Sequence, residues 1–268
     1  MRQPTIYVPH GGGPWPWMED MSAGMAPLRA WLERLPDELP EPPTALLCVS
    51  AHWEAEHPTV GSGARPPTYH DYYGFPEHTY RIRWPAAGAP ELAARVRTLL
   101  GEAGIDSAED AERGFDHGTF VPLALAWPDA EVPTVQLSLV RGLDPATHLA
   151  IGRVLRPLRD EGVLILGSGM SYHNMLGFRA AMGGGTALAG PRADSATFDA
   201  WLGIAVQGED REEKLRRWAE APAARACHPR EEHLLPLMVV AGASDGEPAT
   251  LPFRGDVLGM RVSAVRYG

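Results

Sequence analysis

The chain has 268 residues and is 44% hydrophobic, enough apolar content for one large α/β domain or two small ones. Its 24 Lys and Arg against 34 Asp and Glu give a formal charge of −10, which argues against a basic surface for nucleic acid or an anionic membrane. Cys48 and Cys227 offer neither CxxC spacing nor a disulfide framework, and the apolar run after Met1-Arg2-Gln3-Pro4 is too short for a signal peptide or a span. A reduced, cytoplasmic setting is therefore expected.

Thr5 to Pro9 reads as a short buried strand, followed by a helical pattern from Ala26 to Leu35 and a second strand from Ala45 to Ser50. A helix is expected from Pro90 to Ala103 with Pro in its first turn, a strand from Val132 to Leu139, and a helix from Pro145 to Arg159. Val163 to Leu166 reads as a strand, Ser195 to Val206 as a helix, and Glu209 to Arg217 as an exposed, charge-paired helical face. A helix from about Arg230 to Ala241 would carry His233 in its first turn and stop at Gly242, and Val257 to Val265 reads as a closing strand. The stretches Pro36 to Pro43, Gly61 to Pro76 and Ala181 to Pro191 read as loops. Strands alternating with helices predict a single α/β domain over residues 1–268, with a mainly parallel central sheet and helices on both faces.

The histidines carry the functional signal. His10 precedes three glycines, which leave room for a metal or substrate to approach, although a turn that merely contains a histidine is the plain alternative. Gly11-Gly12-Gly13 is not a phosphate loop, since it lacks GxxxxGK[ST]. His52 ends an apolar run where an unpartnered imidazole would be costly to bury, and the choice lies between a ligand and a satisfied structural histidine. His173 and Asn174 follow Gly167-Ser168-Gly169 at a strand end, but Gly-Ser-Gly-Met-Ser is not the GxSxG of a hydrolase elbow. His117 lies in Phe115-Asp116-His117-Gly118, where adjacency alone does not make Asp116 its orienting carboxylate. His70 and Tyr72 lie in an aromatic loop that would either line a pocket for a planar ligand or pack on the surface. His57, His78, His148 and His228 lack such context and are expected to be exposed or capping. In an open parallel sheet, ligands bind beyond the carboxyl ends of the strands, where His10, His52 and His173 lie.

The motifs His10-Gly11-Gly12-Gly13-Pro14, Ser50-Ala51-His52-Trp53, His70-Asp71 through Gly74-Phe75-Pro76, Gly114-Phe115-Asp116-His117-Gly118, Val135-Gln136-Leu137-Ser138, His173-Asn174 and His233-Leu234-Leu235-Pro236-Leu237 together resemble the class III extradiol ring-cleaving dioxygenases, in the branch of the DOPA 4,5-dioxygenase type. The matching segments span nearly the whole chain in one order. The resemblance implies a single LigB-like α/β domain without an organic cofactor. It implies Fe(II) for activity, with Zn(II) as the ion of a purified form, held by His10, His52 and His233. Better-known members place a glutamate where His233 stands, so Glu231 or Glu232 is the alternative oxygen ligand.

The same resemblance implies His173 as the active-site base, or a fourth ligand in a zinc form, and His117 as a second acid/base or hydrogen-bond donor. The implied partners are a small aromatic diol, DOPA-like or otherwise substituted, and O2, with a muconic-semialdehyde-type product. Pro9 and Trp15-Pro16-Trp17 depart from the branch's pattern around its first histidine and imply a reshaped substrate mouth. Arg81 and Arg83 read as surface arginines rather than carboxylate partners. A homo-oligomer is compatible with the sequence, although no heptad or sustained apolar face specifies one. Two rivals stand beside this reading. A zinc hydrolase would use the same histidines with a metal-bound water, and a non-enzymatic binding module would share the fold but tolerate loss of His173 and His117.

Overall fold

Four apolar strands meet edge to edge at the centre because each can be buried on both faces, as parallel strands between helical layers must be. In the computed structural model, which describes residues 1–183 and 188–268, these are β1 (Thr5–Pro9), β2 (Ala45–Ala55), β5 (Thr134–Val140) and β6 (Val163–Gly169). They run parallel in the order β5-β2-β6-β1. Short strands extend both edges: β3 (Thr59–Gly61) and β4 (Ala108–Asp110) beyond β5, and β10 (Val265–Tyr267) and β7 (Ala249–Thr250) beyond β1. The chain is thus a single α/β domain built on a mainly parallel mixed sheet, eight-stranded among the described residues.

Neighbouring residues of β6 show that both faces are covered. Side chains alternate along a strand. A Cβ on Gly167 would come within 2.5 Å of the Pro236 carbonyl of α10 (Leu235–Gly242), whereas the Ser168 hydroxyl reaches the Gly118 carbonyl of α4 (His117–Ala126). Against α10 packs α5 (Pro145–Leu155), and against α5 packs α3 (Pro90–Glu102); with α4 packs α2 (Ala26–Arg34), preceded by α1 (Glu19–Gly24). The helices α6 (Met175–Gly183), α7 (Ala189–Gln207), α8 (Arg211–Arg216) and α9 (Ala224–Cys227) fill the segment between β6 and α10. A hairpin of β8 (Arg254–Val257) and β9 (Met260–Ser263) stands outside the main sheet.

Several expectations are corrected. The helix around His233 begins at Leu235 rather than near Arg230, because Pro236 suits only a first helical turn. His233 therefore sits in the turn before that helix. The closing strand from Val257 to Val265 is a hairpin plus a separate strand, broken at Leu258-Gly259, where φ is +49° and +80°. β2 runs on to Ala55, so His52 lies within it. The helix starting at Pro145 gives way to a 3-10 turn at Arg156, where Pro157 removes a donor, and Ser195 to Val206 is the interior of a longer helix. Of the stretch Ala181 to Pro191, both ends are helical and residues 184–187 lie outside the described residues. Among the described residues no helix is long and apolar enough to cross a membrane.

His148 and His228 are fully buried rather than exposed. His148 donates from Nδ1 to the Asp144 carbonyl at 2.8 Å and accepts the Val140 amide at 3.1 Å, tying α5 to β5. His228 donates from Nε2 to the Ser171 carbonyl at 3.0 Å, and burial pushes its pKa down to about 4. The unfolded chain binds that proton near 6.5. Its stabilising contribution is thus complete above pH 6.5 and is lost between there and about pH 4, a loss of about 3 kcal/mol. Denaturant titrations across this window should show stability falling with pH, and His228→Gln should remove up to one proton from the slope. An unchanged slope would mean that His228 is not held neutral.

Candidate metal centre

Three elements bring three imidazoles to one point. His10 follows β1 directly, with its amide donating to the Gly169 carbonyl at 3.1 Å and its own carbonyl accepting the Trp15 indole at 2.8 Å. Gly11, at φ +77°, lets the chain turn under that indole, and a Cβ there would strike the ring. His52 lies where β2 leaves register with β5: Val49 pairs with Leu137 and Glu54 with Leu139, so the intervening residues bulge and aim His52 inward. His233 is fixed through its carbonyl, which accepts the Tyr7 hydroxyl at 2.6 Å and the Met170 amide at 3.0 Å. Gly169 is required beside it, because a Cβ would run into that carbonyl.

The Nε2 atoms of His10 and His52 lie 3.1 Å apart, and those of His52 and His233 3.2 Å. Each Nδ1 faces an acceptor. Ser168 gives its single hydroxyl proton to the Gly118 carbonyl, so at 3.0 Å it accepts from His10 Nδ1. His233 Nδ1 donates to Glu232 Oε1 at 2.9 Å, and His52 Nδ1 lies 3.6 Å from Asp71 Oδ2. For His10 and His233 the hydrogen bond at Nδ1 sets the tautomer that leaves the Nε2 lone pair free, and the Asp71 carboxylate favours the same tautomer of His52. Burial, then the proximity of the other histidines, pushes all three well below the ordinary imidazole range. Neutral lone pairs converging at this spacing fit one divalent cation. At the usual metal–nitrogen distance of about 2.0–2.1 Å each of these two pairs subtends about 95–106°, between the octahedral and tetrahedral values.

His117 and His173 stand beside this triad, each backed by a carboxylate. Backbone bonds between Tyr69 and Phe115 and between Phe115 and Pro67 pin the aromatic loop against the start of α4. Asp71 is thereby brought onto His117, whose amide donates at 2.8 Å and whose Nδ1 donates at 2.9 Å. Burial alone would raise Asp71, but His117 and then His52 outweigh it and hold the carboxyl at about 2. His173 is held by its amide to the Cys227 carbonyl at 3.0 Å, and the Asn174 side chain ties to Ala226 at 2.8 Å. Its ring stacks on His233 at 3.3 Å, with Nδ1 3.2 Å from Glu232 Oε1. Glu232 is pushed up by burial and pulled below its ordinary value by His173, then Arg230.

Asp71 and Glu232 therefore each serve one triad histidine and one neighbour. Glu232 lies behind the rings on the Nδ1 side, and Glu231 pairs with Arg225 at 2.7 Å, so neither is aimed among the Nε2 atoms. Asp116, the neighbour of His117 in sequence, instead caps α4 and accepts from Ser50, Gln136 and Arg113. Trp53 lies under the Arg113 guanidinium, and Glu54 pairs with Arg230.

Above the histidines opens a cavity of about 420 Å³, walled by Met21, Met25, Phe75, Met170, Phe178 and Leu258 among others. His52, His117, His173 and His233 line it, and His10 lies buried beneath. Tyr72 reaches the wall with its hydroxyl spent on the Thr79 carbonyl at 2.7 Å. His70 is not brought to the cavity. It donates to the Ile82 carbonyl at 3.1 Å and packs against Tyr72, Tyr80 and Phe120. Sequence reading did not assign roles to Ser168 or Asp71, whose partners lie 158 and 46 residues away and leave no local pattern.

The family model for the catalytic LigB subunit of aromatic ring-opening dioxygenase matches residues 3–261. The chain is 38% identical over 241 residues to a 4,5-DOPA dioxygenase extradiol of Beta vulgaris, covering 90% of this chain and 86% of that one. It is 36% identical over 259 residues to a 4,5-DOPA dioxygenase extradiol of Escherichia coli (strain K12), with 96% and 92% covered. Over 280 residues it is 34% identical to the dioxygenase tasH of Hapsidospora irregularis, with 99% and 85% covered. The crystal structure of an uncharacterized protein, JW3007, from Escherichia coli K12 superposes with a TM-score of 0.78 at 31% identity over the whole of both chains.

The paired imidazoles predict one divalent ion per chain. Titration with Zn(II) against a chromophoric chelator should give unit stoichiometry, lost in His10→Ala, His52→Ala and His233→Ala. Glu232→Gln, which weakens the acceptor on His233 Nδ1, should lower affinity about 10–100-fold without unfolding the protein. Full affinity in that variant would deny Glu232 its orienting role.

Proposed function

The chain belongs to the family of catalytic LigB subunits of aromatic ring-opening dioxygenases, and from that premise we propose that it is an extradiol enzyme. It would open a catechol-type ring beside the diol to give a muconic-semialdehyde-type product. Membership in a ring-cleaving oxidoreductase family, with an aromatic substrate and O2, favours this over a zinc hydrolase or a non-enzymatic module. One observation carries the proposal: His52 and His233 line an apolar cavity with their Nε2 atoms converging toward His10 beneath it, flanked by two further histidines, each backed by a carboxylate.

His10, His52 and His233 would hold Fe(II), and Zn(II) would occupy the same donors in protein purified without iron. Bound Fe(II) would bring diol and O2 together on one centre and relay electrons from ring to oxygen. His173 then acts as base. Its Nδ1 proton is committed to Glu232, so its free Nε2 takes a phenolic proton, and the carboxylate stabilises the resulting imidazolium. His117, held likewise by Asp71, is the second proton-handling group and hydrogen-bonds substrate or oxygen. Because His173 stacks on His233, it could supply a fourth ligand in the zinc form. The cavity volume suits a substituted catechol, whose ring would lie against its apolar walls.

Protein reconstituted anaerobically with Fe(II) and then given O2 and a panel of catechols should produce a yellow semialdehyde. His173→Ala should lose about 10²–10⁴-fold in kcat while keeping its iron. No cleavage of any catechol at stoichiometric iron would sink the proposal.

A further inference from the structure

The cavity has a strained residue in its wall. Register between Val257 and Met260 leaves Leu258-Gly259 as a two-residue turn. Both residues have positive φ, +49° and +80°, the signature of a type I′ hairpin turn. That geometry favours Asn-Gly, because an L-residue there brings its Cβ against the carbonyl, and a branched aliphatic side chain gains no local hydrogen bond in return. The turn could be made without leucine, so the hairpin alone does not explain Leu258. What leucine adds is an isobutyl group on the cavity wall, set so close to α1 that a Cβ on Gly24 would fall 2.9 Å from its Cδ2. Strain held at a ligand-facing position points to a role there.

The rest of the lining has the same character. Among the described residues that line the cavity there is no Asp, Glu, Lys, Arg, Asn, Gln, Ser or Thr. The polar side chains are the histidines, Tyr72, whose hydroxyl is already committed, and Tyr73, which is 91% exposed. With a diol held at the histidines, the ring substituent lies against methionine, phenylalanine, valine and leucine. An ammonium or carboxylate there would leave water without a partner.

We propose that Leu258 is a specificity-determining residue and that the cleft takes a catechol whose ring substituent is uncharged and apolar. The inference rests on the ring-cleaving reading above and adds to it the chemistry of the substituent. The test measures kcat/KM of the Fe(II)-loaded enzyme for 4-ethylcatechol and for L-DOPA. In parallel, dissociation constants of both for the zinc-loaded protein are measured by calorimetry, in wild type and in Leu258→Asn, with Tm recorded for each. Wild type should favour 4-ethylcatechol at least about tenfold in both assays. Leu258→Asn, which suits the turn better, should keep or raise Tm and cut the preference about tenfold, the scale of one to two methylenes in an apolar pocket. A wild-type preference for L-DOPA, or an unchanged ratio in Leu258→Asn, overturns the proposal. If no catechol is cleaved but the zinc-loaded protein keeps its preference for 4-ethylcatechol, the ring-cleaving reading fails and the specificity stands.

Discussion

Two buried imidazoles and a third at the cavity floor, with their Nδ1 atoms turned to acceptors and their Nε2 lone pairs facing one another, are the constraint on which the rest of the structure depends. Neutral nitrogens at 3.1 and 3.2 Å can share a proton pairwise, but one proton cannot satisfy three lone pairs. Protonating a ring would place a charge where burial and two like neighbours oppose it. A divalent cation would resolve both problems. The scaffold must then hold the rings to within a fraction of an ångström, and it does so from elements that do not bend independently. One ring follows the end of β1, one stands on the bulge of β2, and one precedes α10 with its carbonyl clamped by Tyr7 and Met170.

The carboxylates tie that centre to His117 and His173. Asp71 faces His52 and His117, while Glu232 faces His233 and His173. A negative charge on the Nδ1 side raises the electron density at Nε2, so in the proposed roles one carboxylate would both strengthen a metal ligand and make its neighbour a better base. The division of labour is geometric rather than chemical. All five rings share one side-chain type, and position decides which faces the shared centre and which the cavity. His70 illustrates the rule from the other side, since its Nε2 is satisfied by a backbone carbonyl and it takes no place at the wall.

How far the sequence discloses this arrangement follows from the range of each interaction. β1, the first half of β2, β5 and β6 are legible because buried parallel strands are locally continuous apolar runs, and the histidines stand out because glycine or a strand end flanks each. α4 is invisible to periodicity, since it is buried on nearly every side and shows no polar face. The β2 bulge depends on its pairing with β5, nearly ninety positions away, and has no local marker. His148 and His228 read as surface residues because their partners, the Asp144 and Ser171 carbonyls, belong to the backbone and impose no residue type. The hairpin at Leu258 escaped for the opposite reason, because its residues contradict the sequence signal that its turn normally carries.

That contradiction separates two parts of the site that tolerate change differently. The floor hangs on the central sheet, where Gly167 and Gly169 admit α10 and the His233 carbonyl so closely that even a methyl group would displace them. Part of the wall hangs on the six-residue α1, its following segment and the tip of a two-stranded hairpin outside the main sheet. A substitution at such a tip disturbs few packed neighbours, whereas one at the floor must move a strand or a helix. Changes in which aromatic ring is accepted should therefore accumulate at the hairpin and around Met21 and Met25. The histidines and their carboxylates are held by interactions that cannot be adjusted one at a time.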